Sequence, residues 1–168
     1  MLGIIIISLS IYLDGFLTLY LPYLQGAISL LNPMLTIVSL IIIYPLYRKK
    51  EKTYFTIIFI AGIIYDLLYT NLLFYDAIIF LLFGLIIRKI YKDLDVRHIK
   101  LSLYIILLII LYELIMAMFI LIFNLVPITL PKLLYKITHS ILLNIIYGEA
   151  LYEIIKRLPY KYKRIDIN

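Results

Sequence analysis

Residues 61–76 read AGIIYDLLYTNLLFYD, and Asp66 stands in the middle of this apolar run. The residues around it suit the interior of a membrane. A carboxylate at the centre of a spanning helix costs about 2.5–3.5 kcal/mol on insertion scales. Asp66 therefore requires a specific role: a catalytic acid, an ion ligand, a contact for a partner, or a structural hydrogen bond.

The composition indicates one integral membrane domain covering residues 1–168. The chain is 65% hydrophobic and 15% charged, whereas a soluble domain is about 45–50% apolar and about 25% charged. Cysteine is absent, which excludes disulfides, thiolate metal sites and cysteine nucleophiles. The net charge of +6 comes from basic residues clustered between hydrophobic runs. Membrane topology explains these clusters better than nucleic-acid binding does.

Six hydrophobic runs predict an all-α membrane protein with six transmembrane helices. Each run approaches the roughly 20 residues that a spanning helix needs. Short connections make neighbouring helices antiparallel, and backbone in lipid must satisfy its own hydrogen bonds. The predicted spans are 2–21, 30–47, 53–70, 73–91, 99–124 and 133–155.

The distribution of basic residues predicts that both termini are cytoplasmic. In a six-span topology, 14 of the 16 lysines and arginines lie on one side of the membrane. Only Lys132 and Lys136 fall on the other side. Basic loops face the cytoplasm in multi-span membrane proteins, so the predicted location is the plasma membrane.

Four polar residues from four predicted spans share one layer in the outer half of the membrane. From a rise of about 1.5 Å per residue, Asp14 and Asp66 lie about 18–20 Å from the cytoplasmic side of a roughly 30 Å core. Glu113 reaches a similar depth, and His139 enters the same layer from the outside. Ionisable groups at such depths point to a proton relay or an ion site.

The alternative for this layer is structural. A carboxyl in hydrocarbon tends to stay neutral, and a neutral Asp66 can donate a hydrogen bond to a neighbouring helix. Gly62 lies one turn before Asp66 on the same helix face, where a glycine allows close helix packing. This pairing favours a structural or partner-contact role for Asp66 over transport.

A second pair of acids lies in the inner half of the predicted membrane. Glu149 and Glu153 are one helical turn apart on the same face of the sixth span. They are expected to lie within reach of Arg88 and Lys89.

The sequence contains no convincing catalytic pattern. His139 followed by Ser140 is a weak hint, because a serine hydrolase also needs a positioned nucleophile and an oxyanion hole. Asp14-Gly15 matches the start of a phosphatidyltransferase motif whose later residues are missing. The H-E-x-x-H, P-loop and G-x-G-x-x-G patterns do not occur. The sequence therefore predicts no enzyme activity, no cofactor and no metal site.

Several segments resemble the MreD family, the rod shape-determining membrane proteins of bacteria. They are YLDG in the first span, NPMLTIVSLIIIYPLYR in the second, and GIIYDLLYTNLLFYDAIIFLLFGLI across the third and fourth. The family's proline at the start of the second span matches Pro33, and its Gly-x-x-x-Asp motif matches Gly62 and Asp66. Gly84 matches a glycine of the fourth span. Thr70 and Phe74 stand where many members have glycine.

The resemblance implies a non-enzymatic component of the cell-wall elongation machinery. The implied partner is an MreC-like membrane protein, which connects to the MreB filament, the RodA glycosyltransferase and a class B penicillin-binding protein. Membrane lipid surrounds the protein, and nucleic acid is not expected. The structural or partner-contact candidates are Asp14, Pro33, Gly62, Asp66, Gly84, Glu113, His139 and Glu149.

Two other classes of membrane protein compete with this reading. The substrate-binding membrane subunit of a vitamin-type uptake transporter also has six spans at this size. Such subunits often carry Ala-x-x-x-Ala in the first span, which here reads IIIISLSIYLDGFL and contains no alanine. A membrane enzyme of lipid metabolism would need metal-ligand or nucleophile patterns that the chain lacks.

Overall fold

The computed structural model describes residues 2–25, 32–70, 72, 74–91, 98–124 and 129–157. Within these ranges the chain is helical and contains no strand, which confirms the predicted all-α class. The helices are α1 (Leu2–Gln25), α2 (Leu35–Tyr47), α3 (Glu51–Tyr65), α4 (Tyr75–Ile90), α5 (His98–Ile122) and α6 (Leu130–Arg157). A π-helical turn, Asp66–Thr70, extends α3.

Three helical segments among the described residues are long and apolar enough to cross a membrane: Leu2–Tyr20, Glu51–Thr70 and Lys100–Ile122. Helix α2 is apolar but has only 13 residues. It is therefore about 20 Å long, less than a roughly 30 Å hydrocarbon core. These segments are compatible with a membrane protein, whereas the number of six spans stays a prediction.

Helix α2 begins later than the sequence predicts. Residues 32–34 are not helical, and the first helical residue is Leu35. The apolar pattern continues through this stretch, so the sequence alone does not reveal the boundary. The predicted starts of the second and fourth spans, at residues 30 and 73, lie outside the described residues.

Helices α1 and α2 form an antiparallel hairpin. Near one end, Asp14 of α1 bonds to Leu35 at the start of α2. Near the other end, Gly3 of α1 lies against the ring of Tyr47, the last residue of α2. Gly3 leaves room for this ring, because a Cβ there would meet it.

The remaining helices continue the alternation. Glu51 at the start of α3 pairs with Arg88 near the end of α4. Glu113 in the second half of α5 pairs with Lys136 in the first half of α6. We call the end where α1, α3 and α5 finish and α2, α4 and α6 begin the capped end, and the opposite end the basic end.

Helix α2 lies at the centre of the bundle and contacts α1, α3, α4, α5 and α6. Eleven of its 13 residues are buried, and Leu40 and Ile43 have no exposed surface. A helix that is apolar on all sides suits such a position. The hydroxyl of Tyr54 in α3 donates to the carbonyl oxygen of Leu40 at 3.1 Å, which fixes α3 against this core.

Large apolar side chains cover the outside of the bundle. On α1 they include Ile5 and Leu19, on α5 Leu103 and Met118, and on α6 Leu142, each more than half exposed. Apolar faces of this extent are a liability in water and suit a hydrocarbon surrounding. The exposed surface therefore agrees with the apolar composition.

Candidate functional site

Asp14 binds the start of helix α2. Its Oδ1 accepts the backbone N–H of Leu35 at 2.6 Å, and its Oδ2 accepts the N–H and the hydroxyl of Thr36 at 2.9 and 2.6 Å. The first N–H groups of a helix have no partner within the helix, and they carry a partial positive charge. The buried Asp14 carboxylate of α1 gives the first N–H groups of α2 a hydrogen-bond acceptor and places a negative charge beside their partial positive charge.

The stretch before α2 is held by α6. The buried amide of Asn144 accepts the N–H of Met34 at 2.9 Å and donates to the carbonyl oxygen of Asn32 at 3.0 Å. Pro33 lies between these two residues and is buried. Pro33 lies within the predicted second span but precedes the observed helix, because Asp14 binds the N–H groups of Leu35 and Thr36 at the helix start.

Asp66 binds the start of helix α4 in the same way. Its Oδ1 accepts the N–H of Asp76 at 2.8 Å and the hydroxyl of Thr70 at 3.0 Å, and its Oδ2 accepts the N–H of Ala77 at 3.2 Å. The side chain is fully buried. Both oxygens of Asp66 therefore accept hydrogen bonds from the neighbouring helix, where a donated hydrogen bond was expected. That the carboxyl is neutral stays a prediction.

Gly62 lies against the backbone of α4. A Cβ at this position would contact Ala77 Cα, and it would lie 2.7 Å from Ala77 N. The same two residues of α4 that Asp66 binds, Asp76 and Ala77, thus approach α3 at Gly62. The absence of a side chain at Gly62 brings the start of α4 within reach of the Asp66 carboxylate.

The turn between α3 and α4 contains a non-glycine residue in the left-handed conformation. Phe74 precedes α4 with φ of 68°. This conformation costs an ordinary residue roughly 1–2 kcal/mol and costs glycine nothing. A glycine would adopt this conformation without that cost. Phe74 adopts it here because Asp66 and Gly62 fix the start of α4 against α3.

Glu113 occupies the corresponding place in the third hairpin. Its Oε2 lies 3.1 Å from Lys136 Nζ of α6, and its Oε1 accepts the side-chain N–H of Asn32 at 3.2 Å. The carboxylate is buried, whereas half of the Lys136 side chain is exposed. In all three hairpins, an acid of the first helix binds the start of the second helix or a residue in its first half.

His139 does not join these acids. Its Nδ1 lies 2.7 Å from the carbonyl oxygen of Tyr135, and its ring stacks on the Tyr135 ring at 3.8 Å. Both contacts are within α6. The residue of α6 that meets one of these acids is Lys136, which pairs with Glu113.

Among the described contacts, Arg88 does not pair with Glu149 or Glu153, which were expected within its reach. Arg88 pairs with Glu51 at 3.1 Å. Glu149 accepts the hydroxyl of Ser102 at 2.7 Å, and Glu153 lies 3.4 Å from Lys156. Arg88 and Glu51 meet because α3 begins and α4 ends at the same end of the bundle, the basic end.

Gly84 lies in the packed interface between α3 and α4. A Cβ there would lie 2.5 Å from Ile58 Cδ1 and 2.9 Å from Phe55 Cε1. Both atoms are ends of side chains, in contrast to the backbone atoms at Gly62. Gly84 therefore serves side-chain packing.

Two buried polar residues were not expected from the sequence. Asp76 is fully buried in α4, and its Oδ1 accepts the hydroxyl of Tyr112 at 3.1 Å. Its Oδ2 is buried without a hydrogen-bond partner. Asn144 lies in the apolar run LLNII of α6. A single amide in such a run is the sequence feature that could have indicated a hydrogen bond between helices.

A cavity of about 240 Å³ lies at the capped end, and Asp14, Asn32 and Lys136 are among the residues that line it. Tyrosine, methionine and polar side chains line it. Among the described residues, no three histidine, aspartate or glutamate side chains lie close enough together to hold a metal ion. The arrangement can therefore hold helices together and can enclose a small molecule, and the described acids are engaged mainly with the chain's own helices.

No family model, curated protein or solved structure matches this chain.

Proposed function

We propose that this protein is a non-enzymatic membrane scaffold of the bacterial cell-wall elongation complex. The proposal starts from the resemblance of its motifs to the MreD family. Its proposed partners are an MreC-like membrane protein and, through it, the MreB filament, RodA and a class B penicillin-binding protein.

The main support for the proposal is that the motif acids form hydrogen bonds within the protein. Asp14 and Asp66 each direct both carboxylate oxygens at the start of a following helix. A general acid or base needs hydrogen-bond access to a substrate. Carboxylates occupied in this way suit an architectural role, in which the motif fixes a rigid bundle for other membrane proteins to bind.

We further propose that the chain crosses the plasma membrane six times, with both termini in the cytoplasm. Nine described basic residues belong to the basic end: Arg48, Lys49, Lys50, Lys52, Arg88, Lys89, Lys100, Lys156 and Arg157. Two, Lys132 and Lys136, belong to the capped end. Lys92, Arg97, Lys161, Lys163 and Arg164 lie outside the described residues. The asymmetry favours a cytoplasmic basic end.

Cysteine labelling tests this orientation directly, because the natural chain has no cysteine. Single cysteines at Lys50, Asp95 and Ile165 are expected to be protected from an impermeant reagent in intact cells. Single cysteines at Gln25 and Ile128 are expected to react. Labelling of position 95 from outside would overturn the topology.

A groove between α1 and α3 offers a place for a partner's spanning helix. It measures about 160 Å³ and is lined by side chains that include Ile7, Ser8, Ile57 and Ala61. Ser8 is exposed, and small residues of this kind are common where membrane helices approach closely. We propose that the single spanning helix of the MreC-like partner lies here.

Co-purification in mild detergent tests the scaffold proposal. Wild-type protein is expected to retain the MreC-like partner, and depletion is expected to round the cells. The variant Ser8→Leu fills the groove and should reduce the co-purified partner, whereas Ala150→Leu, on an exposed position of α6, should not. Purification with a bound vitamin and an ATPase module, without an MreC-like protein, would favour the uptake-transporter alternative.

A further inference from the structure

The cavity at the capped end has the size of a small molecule. Its volume is about 240 Å³, while an apolar cavity of about 150 Å³ is enough to hold benzene. The space therefore suits a ligand of about eight to twelve non-hydrogen atoms. It lies among α1, the stretch before α2, the end of α3 with its π-helical turn, α5 and α6.

The side chains that line the cavity include aromatic rings and polarisable thioether groups. Tyr65 and Tyr69 line it from one side, Tyr112 from α5, and Met34 and Met116 add thioether groups. Aromatic rings attract cations through their electron-rich faces, and tyrosine cages are a common way of binding ammonium groups. An acyl chain would leave the polar groups of this wall unsatisfied.

The charges around the cavity favour a cation. The lining includes the Asp14 carboxylate, and Asp76 lies directly behind the Tyr112 hydroxyl. One buried oxygen of Asp76 has no hydrogen-bond partner. Asp66 lies next to this group, because it accepts the N–H of Asp76.

The positive charges that could balance these acids are limited. Lys136 lines the cavity but already pairs with Glu113. The starts of α2 and α4 each contribute about half a positive charge toward Asp14 and Asp66. Asp76 lies in the first turn of α4 behind the cavity wall. Among the described residues, Asp14, Asp66 and Asp76 thus place more carboxyl groups around the cavity than the single Lys136 ammonium group can balance.

We propose that this cavity binds a small organic cation, a primary or quaternary ammonium compound with a single ring or a short chain. The ammonium group would lie among Tyr65, Tyr69 and Tyr112, with Asp76 behind them. This site is independent of the proposed scaffold role, because it uses neither the α1–α3 groove nor the basic end.

Three single-ring probes of matched size and different charge test the proposal. The purified full-length protein is heated in detergent with benzylamine, benzyl alcohol or benzoate, and the unfolding temperature is measured against probe concentration. A ligand that binds the folded state raises this temperature in a concentration-dependent way. Benzylamine is expected to stabilise the protein most and benzoate least. Equal effects of all three probes, a preference for benzoate, or no effect would overturn the proposal.

Matched variants on α5 show whether the probe binds in the cavity. Met116 lines the cavity, and Met118 is exposed on the outside of the same helix. Met116→Trp should abolish the benzylamine effect, and Met118→Trp should keep it. Loss in neither variant would place the binding elsewhere and overturn the proposal. Thr18→Phe, at an exposed lining position, replaces Met116→Trp if the latter does not fold.

The charge of Asp76 is tested by a conservative replacement. Asp76→Asn keeps the shape of the side chain and removes its negative charge. Benzylamine should bind this variant about tenfold more weakly, the consequence of losing one nearby opposite charge. Binding of benzyl alcohol should be unchanged. An equal loss for both probes would indicate a purely structural role of Asp76 and would contradict the charge assignment.

Discussion

Asp66 illustrates how a single carboxylate can lie in the interior of an apolar bundle. Its oxygens receive two backbone N–H groups of α4 and the hydroxyl of Thr70. Hydrogen bonds to a charged acceptor are about twice as strong as neutral ones, and the helix start supplies positive potential. The same N–H groups would be unsatisfied in a membrane without the carboxylate, so each group stabilises the other.

The two motif glycines, Gly62 and Gly84, have different kinds of neighbours, and an alanine at each position is expected to change stability by different amounts. At Gly62 the added Cβ meets the backbone of Ala77, which cannot move without shifting α4. Gly62→Ala should destabilise the protein by about 1–3 kcal/mol, the usual cost of overpacking. At Gly84 the added atom meets flexible side-chain ends of Ile58 and Phe55. Gly84→Ala should therefore cost less than about 1 kcal/mol, partly offset by helix propensity.

Thermal unfolding in one detergent measures both variants against the wild type. A larger loss at Gly84 than at Gly62 would contradict the backbone contact between α3 and α4.

Single residues were foreseeable from the sequence to a limited extent. The apolar surroundings mark Asp14, Asp66 and Glu113 as special, because charged groups in such runs are costly. Their partners are not foreseeable. Two of these acids bind backbone N–H groups, which every sequence contains, and the pairing depends on how each hairpin closes. His139 bonds a carbonyl oxygen of its own helix, so its position in an apolar run indicates a buried polar group without revealing the partner.

At the scale of the elements, each hairpin closes on an acid. In the third hairpin the acid meets a side chain rather than backbone, and Glu113 is buried while Lys136 reaches it from a half-exposed position. Removing one partner of such a pair leaves an uncompensated charge, whereas removing both can be nearly neutral. This asymmetry gives a test of the α5–α6 contact.

Lys136→Met should destabilise the protein by about 2 kcal/mol, the low end for breaking a buried charge pair because the lysine is partly exposed. Glu113→Gln should cost a similar amount. The double variant should lose less than the sum of the two, and unfolding temperatures of all three complete a double-mutant cycle. Additive losses would show that the two side chains do not interact.

Element types were predictable and element boundaries were less so. Continuous apolar runs identify all six helices, since the pattern extends over a dozen residues or more in each. The start of α2 is set by Asp14, which lies 21 residues earlier in the chain, and by Asn144 of α6. A boundary that depends on residues from other helices leaves no local signal. The π-helical turn at Asp66–Thr70 is equally invisible in the apolar pattern.

In the molecule as a whole, each of the three acids joins a different pair of helices in the bundle. Helix α2 forms the core, and Asp14 and Asp66 join the α1–α2 and α3–α4 hairpins at the capped end. Glu113 joins α5 to α6 and, through Asn32, to the stretch that precedes α2. The basic end carries most of the positive charge. The two aspartates accept hydrogen bonds from helix starts, and we predict that the protein's function does not require their titration.

Replacement of each aspartate by asparagine distinguishes a structural carboxylate from one that must titrate. Asparagine has nearly the same shape, but only one acceptor oxygen, and its NH₂ group would face a backbone N–H. Asp14→Asn and Asp66→Asn should each destabilise the protein by about 1–3 kcal/mol, the cost of a buried polar group left unsatisfied. Glu153→Gln, at a partly exposed acid of α6, is the matched control and should have little effect.

The measurement is the unfolding temperature of the three variants in one detergent, together with retention of the MreC-like partner. The predicted result is a lower unfolding temperature for Asp14→Asn and Asp66→Asn, with partner binding lost only in proportion to the loss of folded protein. The contradicting result is that both variants unfold at the wild-type temperature and keep the partner, while cells that express them lose their shape. In that case titration of these carboxyls would be part of the function, and a proton relay would replace the structural role.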